Sequence, residues 1–267
     1  MKNLTNDNRC PIIKDLIQPA IADLEIRHSS INELRPIKEL VEKIDYLQKI
    51  KQTDLILIAG GRLAENTETT SWIVLNTLFL KNKAVLYFSL DIHKNDLINM
   101  FLCLDAGLNY EYIKKGFFTE SDWKKMINSA HKLSEKLLYI CDLQLKANEI
   151  IEQIEKLHRE ISMKKQNLSL VIIDYFQLIK CKEFSKQKIS EILKLLKQSA
   201  INLKITIVLL WQFHYNFSEN PDEFIVPKFE DIQEFDIIKK NTDFVGLIEP
   251  YENIFKIYKP DMQEISF

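Results

Sequence analysis

The sequence predicts an α/β fold: a doubly wound, mostly parallel sheet with helices on both faces and a C-terminal hairpin. Three observations predict it. Short β-branched runs alternate with longer stretches of helical period from residue 54 onward. Several short runs, AVLYF and LVII among them, are apolar throughout, as strands covered on both faces must be. The last two runs are separated only by PYEN, too short for a helical crossover, so they pair as a hairpin.

The elements follow in order. Residues 12–27 form an amphipathic helix with Ile13, Leu16, Ile17, Ile21 and Leu24 on one face. A polar connector, HSSINELRP, leads to a second helical stretch over 37–50. The connector leaves two arrangements open for the first helix: packed on its own domain, or swung away to another surface. The first strand is expected at 54–59, and a polar loop then precedes a helix at 69–80. A strand at 84–90 follows, with helices at 94–106 and 120–134, and a short strand at 137–141. The stretch 147–165 places Ile150, Ile151, Ile154, Leu157 and Ile161 at helical spacing. After a strand at 168–174, a helix at 185–203 carries Ile189, Ile192, Leu193, Leu196 and Ala200 inward. Strands at 204–211, 244–249 and 254–259 complete the sheet. Two units result: residues 1–35 as helix and connector, and 36–267 as the α/β domain.

Composition narrows the function classes. Apolar residues make up 46% of the 267 and charged residues 28%, which is ordinary for a globular protein. The net charge of -2 supplies no global attraction to nucleic acid. The polar start, MKNLTNDNRC, is not a secretory signal, and no apolar run is long enough to span a bilayer. Cys10, Cys103, Cys141 and Cys181 lie far apart, which fits free, mostly buried thiols in a reducing cytoplasm. The five histidines have no metal-ligand spacing.

In such a sheet, ligands bind beyond the carboxyl ends of the strands. The residues there are Gly60 and Gly61 after the first strand, Asp91 after the second, Asp174 after the fourth and Gln212 after the fifth. The stretch LILIAGGRLAENTETTSW occupies the position of a phosphate loop: strand, glycine pair, polar segment, Thr69–Thr70, apolar helix.

Taken in order, these segments resemble the RecA-type motor domain of the bacterial replicative helicase family, DnaB-like. DLILIAGGR resembles its strand into the phosphate loop, and VLYFSLDI its next strand, which usually ends in Ser-Leu-Glu. GFFTESDWKKM resembles its Gly-x-Leu…Asp-x-Asp-Trp segment, and LVIIDYFQLI its Walker B strand. IVLLWQF and EDIQEFDIIKKNTDFVGLI resemble two later family segments. The resemblance covers nearly the whole chain from Ile12 onward. It implies a RecA-like fold, ATP and magnesium as cofactors, and work in DNA replication. It gives Asp91 the place of the catalytic glutamate, Asp174 and Thr69 those of the magnesium-organising residues, and Gln212 that of a further site residue. Gly61, Arg62, Glu68, Thr69 and Thr70 fall at the nucleotide-binding positions, and Gln233, Glu234 and Asp236 at the DNA-contacting ones. The helix at 12–27 falls at the family's linker helix, which docks on a neighbouring subunit, so Ile13, Leu16, Ile17, Ile21 and Leu24 become partner-binding residues.

The chain departs from the family where hydrolysis and DNA grip are concentrated. LAENTE is one residue longer than the family's loop; Thr67 replaces its glycine and Glu68 its lysine. A carboxylate about 4 Å from a phosphate charge repels it by about 4 kcal/mol at an effective dielectric of about 20. A helix N-terminus returns only about 0.3–1 kcal/mol. Asp261 stands at the arginine-finger position, and Gln233-Glu234-Phe235-Asp236 replaces a basic DNA-contacting segment. The expectation is an ATPase-deficient homologue with weak or absent grip on single-stranded DNA, acting through a helicase subunit or another replication protein. The alternatives are an active translocase with an unorthodox loop, and a mobile-element or phage remnant.

Overall fold

A computed structural model describes residues 51–60, 63–79, 81–213, 228–248, 255–259 and 262–265. The predicted helix at 12–27, with Ile13, Leu16, Ile17, Ile21 and Leu24, lies outside the described residues, as does the stretch 37–50.

The order of the elements is β1 (Leu55–Gly60), α1 (Leu63–Phe79), β2 (Ala84–Ser89), α2 (Lys94–Ala106), α3 (Tyr110–Lys114), α4 (Glu120–Ser134) and β3 (Leu138–Cys141). Then come α5 (Ala147–Met163), β4 (Leu168–Asp174), α6 (Lys186–Leu203), β5 (Thr206–Gln212), α7 (Phe235–Asn241), β6 (Phe244–Ile248), β7 (Phe255–Lys259) and β8 (Met262–Ile265). The strands form one sheet in the order β3-β2-β4-β5-β1-β6-β7-β8. The six from β3 to β6 are parallel, and β7 and β8 run antiparallel. The strands with the most continuous apolar runs, β2, β4, β5 and β1, are neighbours at the centre of the sheet.

The strict burial of these strands explains their composition. β1 and β2 are buried at every position, because helices cover both faces. On one face Ile56, Ile58, Tyr87 and Ile172 meet Val74, Leu75 and Leu78 of α1 and Leu97 and Phe101 of α2. On the other, Leu57, Val171 and Leu209 meet Ile150 and Ile154 of α5, Ile192 and Leu196 of α6 and Ile238 of α7. Each such isoleucine or leucine contributes about 1.5–3 kcal/mol when fully buried.

The helix ends follow local chemistry. Thr119 and Asp122 form a capping box at the start of α4, and Ser185 accepts the Lys188 N–H at the start of α6. Gly107 ends α2 in the left-handed region at φ 67, where any Cβ would be strained. α5 stops at Met163, short of the expected 165, because Lys165 turns left-handed at φ 58. The five-residue α3 and the strand β8 were not anticipated.

The main correction concerns α1. It begins at Leu63, whereas the sequence predicted a helix from 69 behind a loop. LAENTE is therefore helical. Leucine, alanine and glutamate are strong helix formers, and no glycine or proline interrupts them before the apolar run. Only Gly61 and Arg62 separate β1 from α1.

Candidate nucleotide site

The site is built where four adjacent parallel strands end. Ser89 of β2 lies opposite Asp174 of β4, and Gly60 of β1 opposite Gln212 of β5. The pairing runs on past the strands: Leu90 N–H donates to the Asp174 carbonyl at 2.6 Å, and Phe213 N–H to the Gly60 carbonyl at 3.1 Å. Gly60, Asp91, Asp174 and Gln212 are thus brought to one edge, as the sequence placed them.

Their environments differ. Asp91 is exposed. Its charge, with that of Asp174, adds to the burial that raises the Tyr175 phenol above its ordinary range. Asp174 is 1% exposed, and the hydroxyl of Tyr87, 0% exposed, donates to its Oδ2 at 2.6 Å. That distance belongs to a charge-assisted O–H···O⁻ bond. Burial first, then the Asp174 charge and the bond itself, drive the Tyr87 phenol well above the ordinary tyrosine range, so it remains a donor. Thr70 of α1, fully buried, brings its Oγ1 to 3.4 Å from the same phenol oxygen. The Tyr87 ring is held edge-to-face against Phe101, with centroids 5.9 Å apart. At Asp174–Tyr175 the peptide bond is cis.

Gln212 is fixed by a residue the sequence reading missed. The Gln177 side chain donates to the Gln212 carbonyl at 2.7 Å and accepts its N–H at 3.3 Å. A primary amide can do both at once, which fixes the end of β5 beside the turn leaving β4. Tyr87 was missed too, although a tyrosine in a wholly buried strand must find a partner for its hydroxyl.

Of the predicted phosphate-loop positions, Glu68 and Thr69 lie within α1, and Gly61 and Arg62 lie outside the described residues, as does Asp261. The predicted DNA-contacting residues flank the start of α7. Gln233 is exposed, Glu234 adopts a left-handed backbone at φ 61, and its carboxylate pairs with Lys186 at 3.1 Å. Asp236 pairs with Lys239, whose hydrogen bond and charge hold the Asp236 carboxyl below the usual carboxylate range. Both acids gained in this segment therefore carry lysine partners, one from α6 and one from α7.

A groove of about 410 Å³ lies at the β3 edge, lined by residues that include Lys94, Tyr139, Asp142, Lys156 and Glu160. None of the predicted site residues lines it. Among the described residues no group of His, Cys, Asp and Glu is arranged to hold a metal ion, and no helix is long and apolar enough to cross a membrane. Cys103, Cys141 and Cys181 are free, but only Cys103 is buried, fewer than the sequence suggested.

A parallel sheet with this strand order, a β1–α1 unit at its centre and an acid at the end of β4 define a RecA-like ATPase-type domain. The chain belongs to the DnaB-like helicase C-terminal domain family, whose model matches residues 37–264. It is 26% identical over 242 residues to the replicative DNA helicase DnaB of Geobacillus stearothermophilus, covering 88% of this chain and 52% of that protein. The replicative DNA helicase DnaC of Bacillus subtilis gives the same identity and coverage. The chain thus spans about half the length of these relatives. Among solved structures, a DnaB-like replicative helicase studied with primase matches with a TM-score of 0.66 at 20% identity, covering 94% of this chain and 68% of that one. A separately solved ATPase domain matches at 0.64 and 20% identity, covering 81% of this chain and 80% of that one.

Proposed function

We propose that this chain is an ATPase-deficient homologue of the replicative helicase motor domain that acts in DNA replication, in the cytoplasm, through protein partners. The observation that carries the reading is the β1–α1 junction. No lysine occurs between Lys51 and Lys81, and the segment that would wrap a triphosphate is helix from Leu63. A phosphate cradle needs a flexible loop whose N–H groups turn inward and a lysine that reaches the outer phosphates. A helix entered two residues after the strand, with Glu65 and Glu68 in its first turns, supplies neither. The residues present do not fit magnesium–ATP in the family's manner. The buried Asp174 carboxylate, engaged by Tyr87, points the same way.

The partner role has its own support. Phe117 is 69% exposed, and Tyr112, Phe118, Trp123 and Ile127 are exposed beside it around α3 and α4. α4 packs chiefly on α2, and its outer side carries aromatic surface of the kind that marks protein contacts. The helix expected from the sequence at 12–27, with Ile13, Leu16, Ile17, Ile21 and Leu24 on one face, is the second proposed contact. Binding to single-stranded DNA is expected to be weak and salt-sensitive, since the segment around Glu234 brings no net positive charge.

The test is steady-state phosphate release at millimolar ATP and magnesium, with and without single-stranded DNA. No turnover above background is expected. Turnover of several per second that Asp174→Ala abolishes overturns the proposal and makes the chain an active translocase. Sedimentation of the wild type against Phe117→Ser/Trp123→Ser, alone and with a replicative helicase, tests the contact surface.

A further inference from the structure

We propose that Asp174 serves this chain as the fixed acceptor of the Tyr87 hydroxyl, a buried tie between β2 and β4 beneath α1, and not as an organiser of metal. The inference deepens the ATPase-deficient reading and rests on it for the identity of the position. The argument starts from side-chain direction. Leu170, Ile172 and Asp174 alternate onto the sheet face covered by α1, and Tyr87 on the neighbouring strand faces the same way. The register sets Tyr87 opposite Ile172 and Ser89 opposite Asp174, so the phenol reaches forward along its strand to the carboxylate. An aspartate that holds magnesium needs an oxygen turned to water and phosphate. Here the residue is 1% exposed, and one oxygen takes a 2.6 Å bond from a phenol that is itself sealed by Phe101 and Thr70.

Such a pair behaves distinctively. Removing one partner of a buried bond strands the other, whereas replacing both with apolar groups is nearly neutral. A metal-organising carboxylate shows no such coupling to a core tyrosine. Its loss leaves the apoprotein as stable as before or more so, and weakens the protein only where metal and nucleotide bind.

The experiment is a double-mutant cycle on the whole chain in chelator, without nucleotide, read by thermal unfolding. Asp174→Ala and Tyr87→Phe are each expected to lower the midpoint by about 3–10 °C. Tyr87→Phe/Asp174→Ala is expected to melt above the sum of the single effects. Asp174→Asn, which keeps an acceptor, is expected to melt above Asp174→Ala. In parallel, 10 mM magnesium is expected to leave the wild-type midpoint unchanged. The proposal is overturned if Asp174→Ala melts at or above the wild-type temperature. It is equally overturned if the two sites are additive, or if magnesium raises the midpoint and Asp174→Asn abolishes the rise. Because the cycle contains neither ATP nor metal, it can fail in a protein without ATPase activity and succeed in one that hydrolyses ATP. The two readings therefore fall separately.

Discussion

Asp243, just ahead of β6, fastens the strand that delivers Gly60 to the site. Its Oδ2 accepts the Leu55 N–H at 2.7 Å and the Lys197 Nζ at 2.6 Å, and Lys197 donates further to the Thr53 carbonyl at 2.9 Å. Leu55 is 0% exposed. Asp243→Ala removes the acceptor of that buried N–H, which costs about 1–3 kcal/mol. The ion pair, with side chains 27% and 31% exposed, adds roughly 0.2–1 kcal/mol. A small offset comes from Asp54, whose carboxyl is raised chiefly by burial and further by the nearby Asp243 charge that the substitution removes. The net loss is about 2–3 kcal/mol, or a fall of roughly 4–12 °C in midpoint for a domain of this size. Asp243→Asn keeps an oxygen for Leu55 and loses only the charge, so it should cost under about 1 kcal/mol. Urea unfolding followed by circular dichroism measures both. Equal midpoints for the two variants, or an alanine variant within about 0.5 kcal/mol of wild type, refute the reasoning.

Gln177→Leu, which strips both partners from the Gln212 backbone, should lower stability by about 1–2 kcal/mol; a urea midpoint equal to wild type contradicts the clamp. Burial pushes the Cys103 thiol from 9.0 up to about 11, and burial with the Asp96 charge pushes Tyr110 from 10.0 up to about 12. Both values are raised in the folded state, which therefore holds extra protons across those windows, so stability should fall as pH rises from 9 to 12. Melting midpoints measured against pH should decline less steeply between 9 and 11 in Cys103→Ala, and a wild-type midpoint flat to pH 11 refutes it. Replacing residues 63–68 with the family's Pro-Ser-Met-Gly-Lys should strengthen binding of a fluorescent ATP analogue at least about 100-fold, from about 4 kcal/mol per reversed charge. Binding should return before hydrolysis; titration by anisotropy checks it, and unchanged binding counts against the charge argument.

Much of the frame could be read from residue patterns alone. AVLYF and LVII read as two-sided strands because nothing polar interrupted them, and such strands do lie at the centre of the sheet. α2 and α4 matched end to end; Thr119 is a preferred cap and Gly107 a preferred stop, while the capping by His93 shows only in the structure. Gly60, Asp174 and Gln212 fell at strand ends as expected. The start of α1 differs from the expected one for a specific reason. The glycine pair has the pattern of a phosphate loop, while LAENTE carries the composition of a helix. Local propensity prevailed once the glycine and lysine of the loop were absent. Tyr87 and Gln177 act across strands, and no pattern along a single strand encodes which neighbour a hydroxyl or amide will meet. The lysine that neutralises Glu234 was equally hidden, since Lys186 joins from another helix, whereas Lys239 stands three residues after Asp236 on the same one.

The position of β1 between β5 and β6 has a consequence for how the molecule assembles. The first strand of the sheet is also one of the last to be enclosed: the contact that fastens Leu55 to Asp243 joins residues 188 apart in sequence. Until β6 has been synthesised, one flank of a wholly apolar strand has no neighbour. Such long-range closure slows folding and leaves an adhesive edge on partly made chains. A ribosome-bound fragment ending before Phe244 should therefore be the species that chaperones hold. In amide exchange on the finished protein, β1 and β6 should open together as one late-forming unit, while α2 and α4, joined by local contacts, exchange independently of them.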